Sequence, residues 1–163
     1  MAQASVSAQL AAYPAYDWRT DPAVPRFEDT SPLIVYDGVC ILCSRGMRAI
    51  ARSDVDGKIH FASAQSPLGQ ALFGHYRLDP QEFDTVLLLS GGRAFGKLDV
   101  AHELARLLGG CWRMFGVFSL LPRGMQDLAY DLIAKNRYRL FGRTEICMLP
   151  DPSFRARVID DPK

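Results

Sequence analysis

The stretch LIVYDGVCILCSRGMRAIARSD, residues 33–54, changes its period in the middle. LIVY (33–36) is a continuous apolar, β-rich run of strand length, the pattern of a strand buried on both faces. Asp37-Gly38 turns the chain. From Cys40 the apolar positions keep helical spacing, because Cys40, Cys43, Met47 and Ile50 are 3, 4 and 3 residues apart and share one helix face. Two cysteines with two residues between them thus stand where a strand feeds a helix. Spacing alone leaves three readings: a redox pair, half of a metal site, or two small hydrophobes in the Met47–Ile50 stripe.

The punctuation continues on either side. KIHFAS (58–63) alternates like a strand, and PLGQALFGHY (67–76) reads as a short helix with Pro67 near its start. TVLLLS (85–90) predicts a second buried strand. Gly91-Gly92 then predicts a hairpin turn into RAFGKL (93–98). Asp99 is the expected N-cap of VAHELARLL, which ends at Gly109-Gly110. Strand, helix, strand, helix, strand, hairpin strand, helix is the thioredoxin-like order, whose redox pair sits where the first strand meets the first helix. The expected fold class is therefore α/β and thioredoxin-like, a mixed central sheet of about four strands flanked by helices, with an extra C-terminal helical extension.

Beyond residue 110 the helical segments are WRMFGVFSLL (112–121) and PRGMQDLAYDLIAKNRYRLFG (122–142). Leu128, Ala129, Leu132 and Ile133 form a stripe expected to pack on the domain. WRMFGVFSLLP is expected in the core rather than on a partner or membrane surface. Residues 1–31 carry Pro14, Pro22 and Pro25 without a sustained period. They are expected to wrap the surface or stay partly disordered, with Tyr13, Tyr16 and Trp18 as anchors. The divisions are an extension at 1–31, a core at 32–110, a helical extension packed on it at 111–150, and a tail at 151–163.

The 163 residues suit one domain with a real core. A formal charge of +1 gives no global attraction to nucleic acid or anionic membrane. The N-terminus lacks the charged and apolar regions of a signal peptide, and no stretch reaches the roughly 20 apolar residues of a membrane span. The expectation is a cytoplasmic protein with neither a membrane span nor a nucleic-acid partner. In a reducing compartment structural disulfides are disfavoured, which shifts weight toward chemistry or metal for the close cysteines.

A thiol exchanges disulfides as thiolate, and a free cysteine near pKa of about 8.5 is mostly protonated at neutral pH. Unpaired N–H groups and the positive end of a helix favour the charged sulfur. At such a terminus the first cysteine, Cys40, is the exposed nucleophile, and Cys43, one turn in, resolves the mixed disulfide. Asp37 caps the helix or handles a proton, and Gly38 lets the chain turn without a Cβ. A zinc site wants four ligands, often with a second close pair. The other candidates, Cys111, Cys147, His60, His75 and His102, are dispersed, so no metal and no cofactor are expected. Haem attachment fails because Ser44 stands where the histidine should be.

YDGVCILC (36–43), FASAQSPLGQALF (61–73), LDVAHELARLLGG (98–110) and LAYDLIAKNRYRLFG (128–142), with Cys147 and Pro150 after them, together resemble the DCC family of predicted thiol-disulfide oxidoreductases. The resemblance covers residues 33–150, with Asp37, Cys40 and Cys43 in the three positions that give the family its name. It implies a thioredoxin-like fold and a redox class. True thioredoxins place a cis-proline just before the third strand. Here Asp84-Thr85 occupies that junction and Pro80 lies too early, which points to a narrower partner than unfolded proteins in general.

Cys147 is a candidate third redox cysteine, with a buried packing role as its rival. In KNRYRLFGR (135–143), Arg137 and Arg139 are candidate contacts for an anionic ligand such as a thiol peptide, against a solvated helix end as the plainer reading. The functional expectation is a thiol-disulfide oxidoreductase acting on a protein or small-thiol substrate. The alternative is a non-catalytic thioredoxin-like module, holding zinc or inert thiols, that docks a protein partner.

Overall fold

The computed structural model describes residues 6–79, 85–110, 112–114 and 152–159, with positions 122, 124, 125, 128, 132, 136, 139 and 142 between. Its elements are α1 (Val6–Ala11), β1 (Leu33–Tyr36), α2 (Ile41–Ser53), β2 (His60–Ser63), α3 (Pro67–His75), β3 (Leu87–Ser90), β4 (Arg93–Gly96), α4 (Leu98–Leu108) and a single turn, α5 (Pro152–Arg155). The four strands form one mixed sheet in the order β2-β1-β3-β4. β1 runs parallel to β2 and antiparallel to β3, and β3 is antiparallel to β4. This is the thioredoxin-like arrangement.

β1 reads as an unbroken apolar run because it is central. Alternate side chains point to opposite faces. Leu33 and Val35 therefore join one core with Leu87, Leu89 and α3. Ile34 and Tyr36 join a second core with Leu88, Met47 and Ile50 of α2, and Val100 and Leu104 of α4. The Gly91-Gly92 turn has both φ values positive, at 55° and 80°, which matches the twist of β3 and β4. α4 begins two residues earlier than the sequence suggests. Gly96 and Leu98 are separated only by Lys97, which takes the N-cap position without a side-chain bond, so Asp99 falls in the first turn and is not the cap.

Both ends of the chain finish the sheet. Residues 6–31 lie on the α3 face, where Leu10, Trp18 and Val24 are buried. His75 at the end of α3 is held between two carboxylates, with Nδ1 2.7 Å from Asp21 Oδ2 and Nε2 3.1 Å from Asp17 Oδ2. At the other edge Phe61 of β2 donates its N–H to Arg157 O and accepts one from Ile159. Phe154 is buried against Phe61, and Arg157 pairs with Asp54 at 3.0 Å. Residues 154–159, beyond the expected helical extension, are thus part of the packed body.

The stripe expected to pack between 128 and 133 does not do so at its described positions. Leu128 and Leu132 are 71% and 65% exposed. Together with Met125, Asn136 and Arg139 they are spaced at three or four residues, and that face of the helical segment points to solvent. Ala129 and Ile133 lie outside the described residues, as do residues 115–121. Of the segment expected in the core, Trp112 packs at the edge of the second cluster, and Met114 is exposed.

α3 sits unusually close to the sheet. A Cβ on Gly69 would lie 2.2 Å from Ser63 O and 2.7 Å from Ala64 Cα, both backbone atoms that cannot step aside. Gly69→Ala is expected to cost about 3 kcal/mol by urea unfolding. Gly74→Ala, in the same helix with nothing near the added carbon, should instead stabilise by about 0.5 kcal/mol.

Candidate active site

The loop 37–40 leaves the C-terminal end of β1 and enters α2. Cys40 is the N-cap: its backbone is extended (φ −83°, ψ 118°) and its Sγ accepts the N–H of Cys43 at 3.4 Å. No disulfide joins Cys40 to Cys43. The sulfur turns inward over the first helical turn to meet this N–H, and Cys40 is 0% exposed. The expectation of an exposed first cysteine is therefore corrected. Cys43, three residues on, is the partly exposed member and packs at the rim of the second core.

Asp37 is 3% exposed, and its Oδ1 accepts the Val39 N–H at 3.1 Å and the Gln65 side-chain amide at 2.7 Å. The Gln65 carbonyl in turn accepts the Gly38 N–H at 3.1 Å and the Ser63 hydroxyl at 2.6 Å. A single amide thus ties the cysteine loop to the loop after β2. Gly38 matters for space: an added Cβ would sit 2.9 Å from Ser63 Oγ and 3.3 Å from Gln65 Oε1. Ser44 closes the turn from the helix side, donating its N–H to Cys40 O at 2.9 Å and its hydroxyl to Gly38 O at 3.4 Å.

Four of the sequence-named residues, Asp37, Gly38, Cys40 and Cys43, therefore meet across the loop and the first turn of α2. Gln65 and Ser63 were not singled out. Their only sequence signal was their place in FASAQS, immediately after a strand parallel to β1. Arg139 is exposed, and no hydrogen bond or ion pair among the described residues ties it to the cysteine loop. Arg137, Cys111 and Cys147 lie outside the described residues. The chain does return to the motif after the helical segment, since a Cβ on Gly142 would lie 3.5 Å from Ile41 Cδ1. At the third-strand junction Thr85 is buried, Pro80 and Asp84 lie outside the described residues, and the described peptides are all trans. Among the described residues no three His, Cys, Asp or Glu side chains come together to hold a metal.

Gln65→Ala removes the tie while leaving the sheet intact. Losing a hydrogen-bond partner of a buried carboxylate and of a backbone N–H is expected to cost about 1–3 kcal/mol. In amide exchange the Gly38 N–H should lose protection while the Ile34 N–H, in mid-sheet, keeps its own.

Comparison with known proteins gives this arrangement a family. A family model described as DCC1-like thiol-disulfide oxidoreductase matches residues 34–143. The chain is similar to YuxK of Bacillus subtilis, an uncharacterized protein, with 39% identity over 127 residues that cover 78% of this chain and 93% of the relative. It is also similar to a chloroplastic DCC family protein of Arabidopsis thaliana, with 28% identity over 134 residues covering 82% and 78%. No solved structure gives a significant match. The chain belongs to the DCC1-like thiol-disulfide oxidoreductase family.

Proposed function

We propose that the protein exchanges disulfides through a Cys40–Cys43 dithiol. The observation that carries this reading is the N-cap sulfur. An N–H donated to Sγ at the positive end of a 13-residue helix is the contact that stabilises a thiolate. Asp37, Gly38 and Gln65 support the loop that holds it.

In the proposed cycle the Cys40 thiolate attacks one sulfur of a substrate disulfide. That bond breaks, one substrate thiolate leaves, and a mixed disulfide forms with Cys40. The Cys43 thiolate then attacks Cys40 Sγ and releases the second substrate thiol. Two electrons pass to the substrate, the two protein thiol protons end on the released thiols, and a Cys40–Cys43 disulfide remains. The reverse sequence oxidises a dithiol substrate. Because Cys40 is covered, the substrate disulfide has to reach it through a local opening of the loop, which favours a shaped partner, protein or small thiol, over unfolded chains at large. A reducing compartment, which returns the pair to its dithiol form, suits this chemistry. No helix of the described residues is long and apolar enough to cross a membrane.

The burial of Cys40 also favours a second reading, a thioredoxin-like binding module with inert cysteines. A graded series of thiol/disulfide buffers separates the two, with free thiols counted by mass in Cys111→Ser/Cys147→Ser protein and zinc assayed in the same sample. A reversible two-electron transition is expected, with Cys40→Ser abolishing exchange and Cys43→Ser trapping mixed disulfides. No transition, or wild-type exchange in both variants, would transfer the assignment to the binding module.

A further inference from the structure

The two edges of the sheet are finished differently. Along β2 the backbone groups of Phe61 that face outward are both taken by residues 157–159. Along β4, among the described residues, two hydrogen bonds fasten the N-terminal segment. The Tyr16 N–H donates to Gly92 O at 2.7 Å, and Ser7 Oγ donates to Gly96 O at 3.4 Å. These two carbonyls face away from β3. Backbone groups along a strand alternate in direction with a period of two, so Ala94, midway between them, turns its N–H and C=O the same way. Among the described residues neither group has a hydrogen-bond partner across that edge.

A cavity of about 540 Å³ opens there, within the range of small-ligand sites. Ala94 belongs to its floor; Leu10 and Tyr13 line one wall, and α4 supplies the other with His102, Glu103 and Arg106. The charges on the α4 side are unequally used. Glu103 is saturated, accepting from Ser90 Oγ at 2.8 Å and from Arg106 at 2.6 and 2.8 Å. These contacts, Arg106 foremost, hold its carboxyl below the usual range. His102 Nδ1 lies 3.9 Å from Asp99 Oδ1, and its Nε2 is shielded from solvent without a hydrogen-bond partner among the described residues. Arg93, at the rim, is exposed and has no carboxylate partner among the described residues.

We infer that this cavity is a binding site for a short extended peptide bearing a carboxylate. The peptide adds as a one-residue extension of the sheet at Ala94, accepting its N–H and donating to its C=O, while the carboxylate pairs with Arg93. The occupant is a short segment because Gly92 O and Gly96 O are already bonded to the N-terminal segment, which leaves no room for a second sheet edge to align. The site is independent of the cysteines. β4 lies two strand spacings, about 10 Å, from β1, and Ala94 is level with Leu89 and Leu33, at the end of β1 away from Asp37.

The test uses the full-length chain, ¹⁵N-labelled, titrated with two pools of acetylated, amidated pentapeptides. Both pools have Ala, Val and Thr around a central residue, which is Asp in one and Lys in the other. The Asp pool should shift the Ala94 amide resonance and protect it from exchange, equally in Cys40→Ser/Cys43→Ser protein. Arg93→Gln, a change at an exposed side chain whose fold a thermal melt verifies, should weaken binding about tenfold. Silence at Ala94 up to about 5 mM peptide, equal binding of the Lys pool, or a shift confined to Arg93 would each overturn the site. An Ala94 shift that follows protein concentration without peptide would overturn it too, by making the occupant a second copy of the chain.

Discussion

The structure rests on a single strand being buried from both sides. Every side chain of β1 is at most 2% exposed, and the four alternate between two separate cores. A strand so placed needs neighbours on both edges and helices on both faces. Its parallel neighbour, β2, is reachable only by a crossover, because parallel strands cannot be joined by a tight turn. α2 is that crossover. The point where β1 ends and α2 begins is therefore fixed by the packing of the whole domain, and the two cysteines occupy it.

What the packing fixes, a small polar network refines. Gln65 comes from the loop after β2, and parallel pairing brings that loop level with the one after β1, as the register of Tyr36 against Ser63 shows. One side-chain amide then serves both the buried Asp37 carboxylate and the Gly38 N–H. The close seat of Gly69 on Ser63 and Ala64 holds this second loop in place. The geometry of the motif is thus set from outside it. The membership of the chain in the DCC1-like family accords with this division, since the matched region, 34–143, begins at β1 and includes every strand.

Much of this is legible in the sequence. The apolar run 33–36, the helical spacing from Cys40, the Gly91-Gly92 turn and the stop at Gly109 all correspond to elements within a residue or two. They are local signals, written in periodicity and in backbone freedom. The motif Asp37-Gly38-x-Cys40-x-x-Cys43 was legible for the same reason, because its residues are near one another in the chain. Asp99 misled because an acidic residue favours the first turn as well as the cap, and only the short β4-to-α4 link decides between them.

The sequence by itself thus determined the order of elements, the mixed four-stranded sheet and the place of the cysteines within it. Only the tertiary structure decided how those cysteines are presented. Burial of Cys40, the bond from Gln65 to Asp37, the return of the chain at Gly142 to Ile41 and the outward turn of Leu128 and Leu132 each join or separate residues through space. No local pattern encodes them. An apolar stripe reads the same whether the helix turns it to the core or to solvent, and a cysteine reads the same whether its sulfur faces water or the first turn of its own helix.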